Sequence, residues 1–122
     1  MTSNRTEEVD PNGKSSSEAG AKLDFGKSPA FRGALRYFPR ALRAVADVSA
    51  FGAAKYTWGG WRTVPEGIER YSDAMVRHLI SEGEGKITDY DSGLLEAAHT
   101  AWNALARLEL IIKEMESRDG DR

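Results

Sequence analysis

The sequence predicts an all-α protein, a small antiparallel bundle of three to four helices behind a disordered N-terminal tail. Three observations carry this. Apolar residues recur at helical spacing in three segments, each opened by a proline or a capping residue. No stretch alternates apolar and polar residues long enough to mark a strand. The chain has 122 residues, 40% of them hydrophobic and 30% charged, enough for one small domain with a small core.

In chain order, residues 1–21 read as the tail. Pro11, Asn12, Gly13, Ser15, Ser16, Ser17 and Gly20 stand among charges with almost nothing apolar to bury, so burial cannot offset the entropy of ordering them. The helical domain is expected over residues 22–117, with a frayed end over 118–122. A short helix can run from Ser28 and Pro29 to Phe38, capped by Ser28. The first long helix begins around Pro39, where proline suits the first turn, and ends about Lys55, with Leu42, Val45, Ser49, Gly52 and Ala53 as its inner stripe. Residues 57–63 (TWGGWRT) read as a turn whose two indoles cover the end of the bundle. The second helix begins at Pro65 and stops before Gly83, with Ile68, Tyr71, Met75, His78 and Leu79 on one face. The third begins after Asp91 or Ser92 and runs to about Ser117. Leu94, Leu95, Ala98, Trp102, Leu105, Leu108, Glu109 and Ile112 recur along it, and Leu110 and Ile111 widen its apolar surface. A helix so broadly apolar is central or shared with a second subunit, so a homodimer or higher oligomer through this helix is expected.

Composition removes several classes of function. Without cysteine there are no disulfides, zinc–thiolate sites, iron–sulfur clusters or thiol nucleophiles. No run of 18 apolar residues is present, so no membrane span is expected, and the polar, acidic start lacks a secretory signal; the expected location is the cytoplasm. A net charge of −2 argues against a protein that coats nucleic acid. Charge is polarised, however. Lys27, Arg32, Arg36, Arg40 and Arg43 are followed by a back half in which acids outnumber bases. One site able to hold both an anion and a divalent cation fits that polarity, and so do ordinary solvated helix faces.

Four polar groupings can carry chemistry. Glu66, Glu69 and Asp73 fall on one face of the second helix, a row suited to magnesium or, more plainly, to the favourable start of a helix. Glu82, Glu84, Asp89 and Asp91 crowd the loop SEGEGKITDYDSG, which can wrap a metal or be simply acidic and does not match the twelve-residue calcium loop. Glu96, His99 and Asn103 flank the apolar stripe of the third helix, and His78 occupies a comparable position on the second. Histidines facing each other across two helices can orient a ligand, shuttle a proton or contact a metal; the plain alternative is two satisfied core histidines. Arg32, Arg36, Arg40 and Arg43 recur at helical spacing and suit phosphates, but no phosphate-binding glycine loop or dinucleotide fingerprint accompanies them, and a Ser-His-Asp triad cannot be argued from spacing.

The words KLDFGKSP (22–29), FGAAKYTWGGWR (51–62), YSDAMVRHL (71–79), GEGKITDYDSGLLEAAHTAWN (83–103) and ALARLEL (104–110), in this order, resemble the phage and bacterial family described as the N-terminal domain of dATP/dGTP diphosphohydrolase. The resemblance implies an all-α relationship to the MazG-like pyrophosphohydrolases. Such enzymes use magnesium to cleave a nucleoside triphosphate between its α and β phosphates. The matching polar positions are Lys22, Asp24, Lys27, Lys55, Tyr56, Trp61, Arg77, His78, Glu84, Asp89, Asp91, Ser92, His99 and Asn103. The chain departs from the MazG metal signature: Glu66-x-x-Glu69 is half of its first glutamate-rich motif, and Glu96-x-x-His99 stands where E-x-x-D belongs.

On that resemblance the expected activity is hydrolysis of dATP or dGTP to the monophosphate and pyrophosphate, with Mg2+, or Mn2+, as cofactor. Glu84, Asp89 and Asp91 are the expected metal or water-positioning carboxylates, with Glu66, Glu69 and Asp73 as the competing set. Asp91, His78, His99 and Asn103 are the candidate catalytic groups. Lys22, Asp24, Lys27, Lys55 and Arg77 are candidate substrate contacts, and Tyr56, Trp58 or Trp61 can stack on the purine. Two other readings are a non-catalytic helical module that binds a nucleotide or a protein, and weak nucleic-acid binding through the arginine row. Salt-sensitive affinity would mark the last, metal-dependent turnover the enzyme.

Overall fold

A computed structural model describes residues 8–120 and contains three long helices: α1 (Pro39–Lys55), α2 (Gly67–Gly83) and α3 (Glu96–Gly120). A π-helical turn (Phe31–Leu35) precedes them and a 3-10 turn (Gly60–Thr63) lies between α1 and α2. Among the described residues there is no strand, only a bridge between Thr88 and Leu95. The protein is all-α, as its periodicity predicts. No described helix is long and apolar enough to cross a membrane.

The chain divides into two compact units, the first ending at Tyr37 and the second starting at Phe38. Residues 1–7 of the expected tail, and residues 121–122 of the expected frayed end, lie outside the described residues. In the first unit, residues 8–30 form turns rather than helix. The Asp10 carboxylate accepts the Lys14 and Lys22 backbone N–H groups at 2.8 and 3.4 Å, and the Phe25 N–H reaches the Val9 carbonyl at 2.8 Å. The short helix expected from Ser28 to Phe38 is the five-residue π turn.

In the second unit α3 runs antiparallel to both other helices. Against α2 the facing positions run in opposite directions: Gly67 opposite Leu110, Ser72 bonded to Arg107, His78 bonded to Glu96. Against α1, the Trp102 Nε1–H donates to Ser49 Oγ at 2.8 Å, and Phe51 meets His99 edge to face one turn further on. α1 and α2 therefore point the same way, and the chain between them must travel back along the bundle. Trp61 lies midway on this return and packs on Tyr71 and Trp102, with ring centroids 6.2 and 5.7 Å away. The indole of Trp61 thus covers the middle of the bundle, and Trp58 is exposed, in place of two indoles over its end.

α1 keeps its expected limits. α2 starts two residues after Pro65, because Glu66 takes a left-handed conformation (φ 57°, ψ 37°) that helical winding cannot include. α3 starts at Glu96 rather than after Asp91 or Ser92. Gly93 sits at φ 72°, and the Asp89 N–H pairs with the Leu94 carbonyl at 2.7 Å while the Glu96 N–H pairs with the Ile87 carbonyl at 2.8 Å. This hairpin-like turn spends the donors and acceptors that an earlier helix start would need.

The inner face of α3 is the polar one. Glu96, Ala98, His99, Asn103 and Ala106 are buried, whereas Leu105 and Leu108, and Leu95 just before the helix, are exposed. On α1 it is Val48, outside the expected stripe, that is buried.

Candidate metal centre

The buried polar stripe of α3, the second histidine on α2 and the turn before α3 meet at one point. The Glu96 carboxylate, 3% exposed, accepts a hydrogen bond from His78 Nδ1 at 2.9 Å. Asp89 places Oδ1 at 3.9 Å from the same nitrogen and Oδ2 at 3.7 Å from His99 Nε2. The two imidazoles stack, centroids 4.5 Å apart and planes 14° from parallel. Ser92 Oγ lies 2.7 Å from His99 Nε2, and the Ser92 backbone N–H donates to Asp89 Oδ2 at 2.9 Å. The local fold accounts for each placement. His78 is near the end of α2, Glu96 and His99 are one turn apart on α3, and the turn around Gly93 folds Asp89 back over them.

The electrostatics favour a cation here. Burial pushes the Asp89 carboxyl up, but the Ser92 N–H and hydroxyl and the two histidines together outweigh it and hold the carboxyl below its ordinary value. Burial, reinforced by His78, lowers His99 and keeps it neutral near pH 7. Two carboxylates thus stand together, one of them buried. One ligand atom each from His78, Asp89 and Glu96 lies within 4.8 Å of the others. An imidazole with two carboxylates is a donor set for a divalent cation of the Mn2+, Fe2+ or Zn2+ kind, and one able to take Mg2+ through its oxygens. These residues fit a divalent cation.

The candidate positions named from sequence come together here only in part. His78, Asp89 and His99 are in the cluster. Glu96 joins them as a ligand candidate; its signal was present, since Glu96, His99 and Asn103 share a helix face. Glu84 is exposed, 3.7 Å from Lys86. Asp91 is exposed and paired with Lys55 at 2.9 Å, and that bond raises the Lys55 pKa. Asn103 is buried and donates from Nδ2 to the His99 carbonyl at 2.8 Å, a bond within α3. Glu66 and Glu69 line a separate shallow groove with Arg62, Lys113 and Arg118, and Asp73 is exposed on α2. Tyr56, 75% exposed, stands with its ring 5.8 Å from Lys55 Nζ. Trp61 is committed to the aromatic cluster, and Arg77 is exposed beside His78 in sequence. Lys22, Asp24 and Lys27 belong to the first unit, where Lys27 pairs with Glu8 at 3.2 Å. Of the arginine row, Arg32 and Arg36 belong to the first unit and Arg40 and Arg43 to the second.

The fold and this cluster define a class: a helical domain with a mixed imidazole–carboxylate centre between two antiparallel helices. A family model described as dATP/dGTP diphosphohydrolase, N-terminal, matches residues 17–120, and the chain belongs to this family. It is also 37% identical over 82 residues to a dATP/dGTP diphosphohydrolase of Salmonella phage PMBT28. That match covers 67% of this chain and 26% of the phage protein, so the chain spans about a quarter of that relative's length. No solved structure matches.

Proposed function

We propose that this chain hydrolyses a purine deoxynucleoside triphosphate, dATP or dGTP, to the monophosphate and pyrophosphate with a divalent cation held by His78, Asp89 and Glu96. The family and the name of the phage relative support the substrate class. The single observation that supports metal dependence is the cluster itself, with a buried carboxylate and an ionised one converging on one imidazole. When bound, such a cation neutralises charge on the triphosphate and acidifies water. The imidazole among the ligands makes Mn2+ at least as effective as Mg2+.

The chain's own residues supply the rest. Lys55 is an exposed cation beside the cluster, and its partner Asp91 is exposed as well. A triphosphate that takes the Lys55 ammonium releases Asp91, whose free carboxylate then accepts the proton of the attacking water. Water adds to the α-phosphorus, the bond to the β-phosphate oxygen breaks, and pyrophosphate leaves. Tyr56, next to Lys55, offers an open ring face to the purine.

The working unit proposed is a homodimer in the cytoplasm. Ala101, Leu105, Leu108, Ile112 and Met115 advance along α3 in alternating steps of four and three, the spacing of a coiled-coil seam. Leu105 and Leu108 are 47% and 52% exposed, and a second copy of α3 is the partner such spacing fits.

The deciding experiment incubates the purified protein with each deoxy- and ribonucleoside triphosphate, with and without Mg2+ or Mn2+, and separates the products. Metal-dependent dAMP or dGMP with pyrophosphate supports the proposal. A folded protein with no turnover on any nucleotide favours the non-catalytic binding module.

A further inference from the structure

We infer that Ser92 and His99 form a positioning pair that holds the candidate metal ligands Asp89 and His78, joined by the hydrogen bond between Ser92 Oγ and His99 Nε2. The inference rests on the metal reading above and goes beyond it to two residues outside the ligand set.

Ser92 has little freedom left to do anything else. Its backbone N–H is given to Asp89 Oδ2 at 2.9 Å, and its Oγ accepts the Leu94 N–H at 3.1 Å. The hydroxyl proton then has two acceptors within its reach, the Asp89 carboxylate and His99 Nε2, and the short 2.7 Å distance favours His99. That bond calls for the His99 tautomer that leaves the Nε2 lone pair free and carries its proton on Nδ1. This is not the arrangement of a nucleophilic triad. There the acid and the hydroxyl address opposite nitrogens of the imidazole, whereas here Asp89 Oδ2 stands 3.7 Å from the same Nε2 that Ser92 occupies.

The ring of His99 is held on three sides: by Ser92 at Nε2, by the Phe51 ring edge to face at 6.3 Å, and by the stacked His78 at 4.5 Å. A buried imidazole fixed in this way is a plate against which the His78 ring lies, so it sets the plane in which Nδ1 of His78 is presented. Ser92 therefore acts on both ligands, on Asp89 through its N–H and on His78 through His99. Groups that orient metal ligands in this manner typically change metal affinity about 10–100-fold when removed.

The test uses the whole chain and two readouts. Mn2+ affinity is measured by calorimetry, and the histidine tautomers by long-range 1H–15N spectra of the metal-free protein. The S92A variant keeps the backbone N–H to Asp89 and removes only the hydroxyl; S92T restores a hydroxyl; H99Q perturbs the pair from its other end. The expected result is an Nδ1–H tautomer for His99, lost as a single state in S92A, with Mn2+ binding weakened about 10-fold in S92A and H99Q and within about 3-fold of the parent in S92T. Far-UV circular dichroism checks that each variant is folded. A proton on His99 Nε2 overturns the inference. So does a Mn2+ affinity that falls in D89N and not in S92A or H99Q, which leaves the metal reading standing. An affinity unchanged in D89N too sinks the metal reading itself.

Discussion

At the scale of single residues, the centre concentrates cost in a few side chains. Glu96 is a buried carboxylate whose hydrogen bond comes from one imidazole. Replacing it by glutamine removes charge and nothing of the shape, so E96Q should fold as the parent does, or be slightly more stable, because burying a carboxylate is expensive. If the proposed metal reading holds, the same change should reduce turnover by about 100-fold or more, since a ligand and its charge would be lost together. A thermal melt and a Mn2+ titration of turnover check the two halves. An E96Q protein with full turnover would remove Glu96 from the ligand set. Glu66 provides the contrast. It holds a left-handed backbone at φ 57°, which costs a side-chain-bearing residue about 1 kcal/mol, and it lies outside the cluster. E66G should raise the melting temperature by a few degrees and leave turnover unchanged. Lost turnover in E66G would return the row Glu66, Glu69 and Asp73 to consideration as the metal set.

At the scale of elements, α3 is the organising helix, and its rotation decides what the protein presents. Its polar stripe faces α2 and the Asp89 turn, its aromatic edge faces α1 and the returning chain, and Leu105 and Leu108 face outward. The Trp102–Ser49 hydrogen bond ties α1 to α3 beside the Trp61–Tyr71–Trp102 cluster. S49A leaves the indole N–H half-buried with its partner gone, and should cost about 1 kcal/mol, a fall in melting temperature of roughly 4–8 °C. A melt unchanged within a degree would show that water replaces Ser49 without loss. Binary patterning did not resolve this rotation. Leucines at helical spacing outweigh Glu96, His99 and Asn103 in any hydrophobic tally, yet the three polar groups can be buried because each finds a partner: His78, Ser92 and the His99 carbonyl.

At the scale of the whole molecule, few apolar side chains among the described residues are buried: Val48, Ala98 and Ala106, against a long series of exposed leucines, isoleucines and aromatics. A core of that size is marginal for a chain of this length. The homodimer proposed through α3 would enlarge it. Light scattering at micromolar concentration should give twice the monomer mass, and L108D, which sets like charges across the seam, should halve it. A monomeric parent protein would leave the seam for a partner other than a second copy.

Much of this was legible in the amino-acid order. Periodicity and proline placement determined the all-α class and the limits of α1, because local backbone chemistry and one-dimensional spacing settle both. The words around residues 51–62 and 83–103 determined the family, and the pairing of His78 with His99 across two helices was readable from their places on facing stripes. What spacing leaves open is which groups from different segments converge. Only the tertiary structure decided that Asp89, rather than Glu84 or Asp91, turns inward onto His78 and Glu96. Only it decided that Ser92 reaches His99, and that Trp61 folds over Trp102. The reason is physical. Gly93 at positive φ and the Thr88–Leu95 pairing reverse the chain before α3, and that reversal is what carries a loop carboxylate onto a helix face.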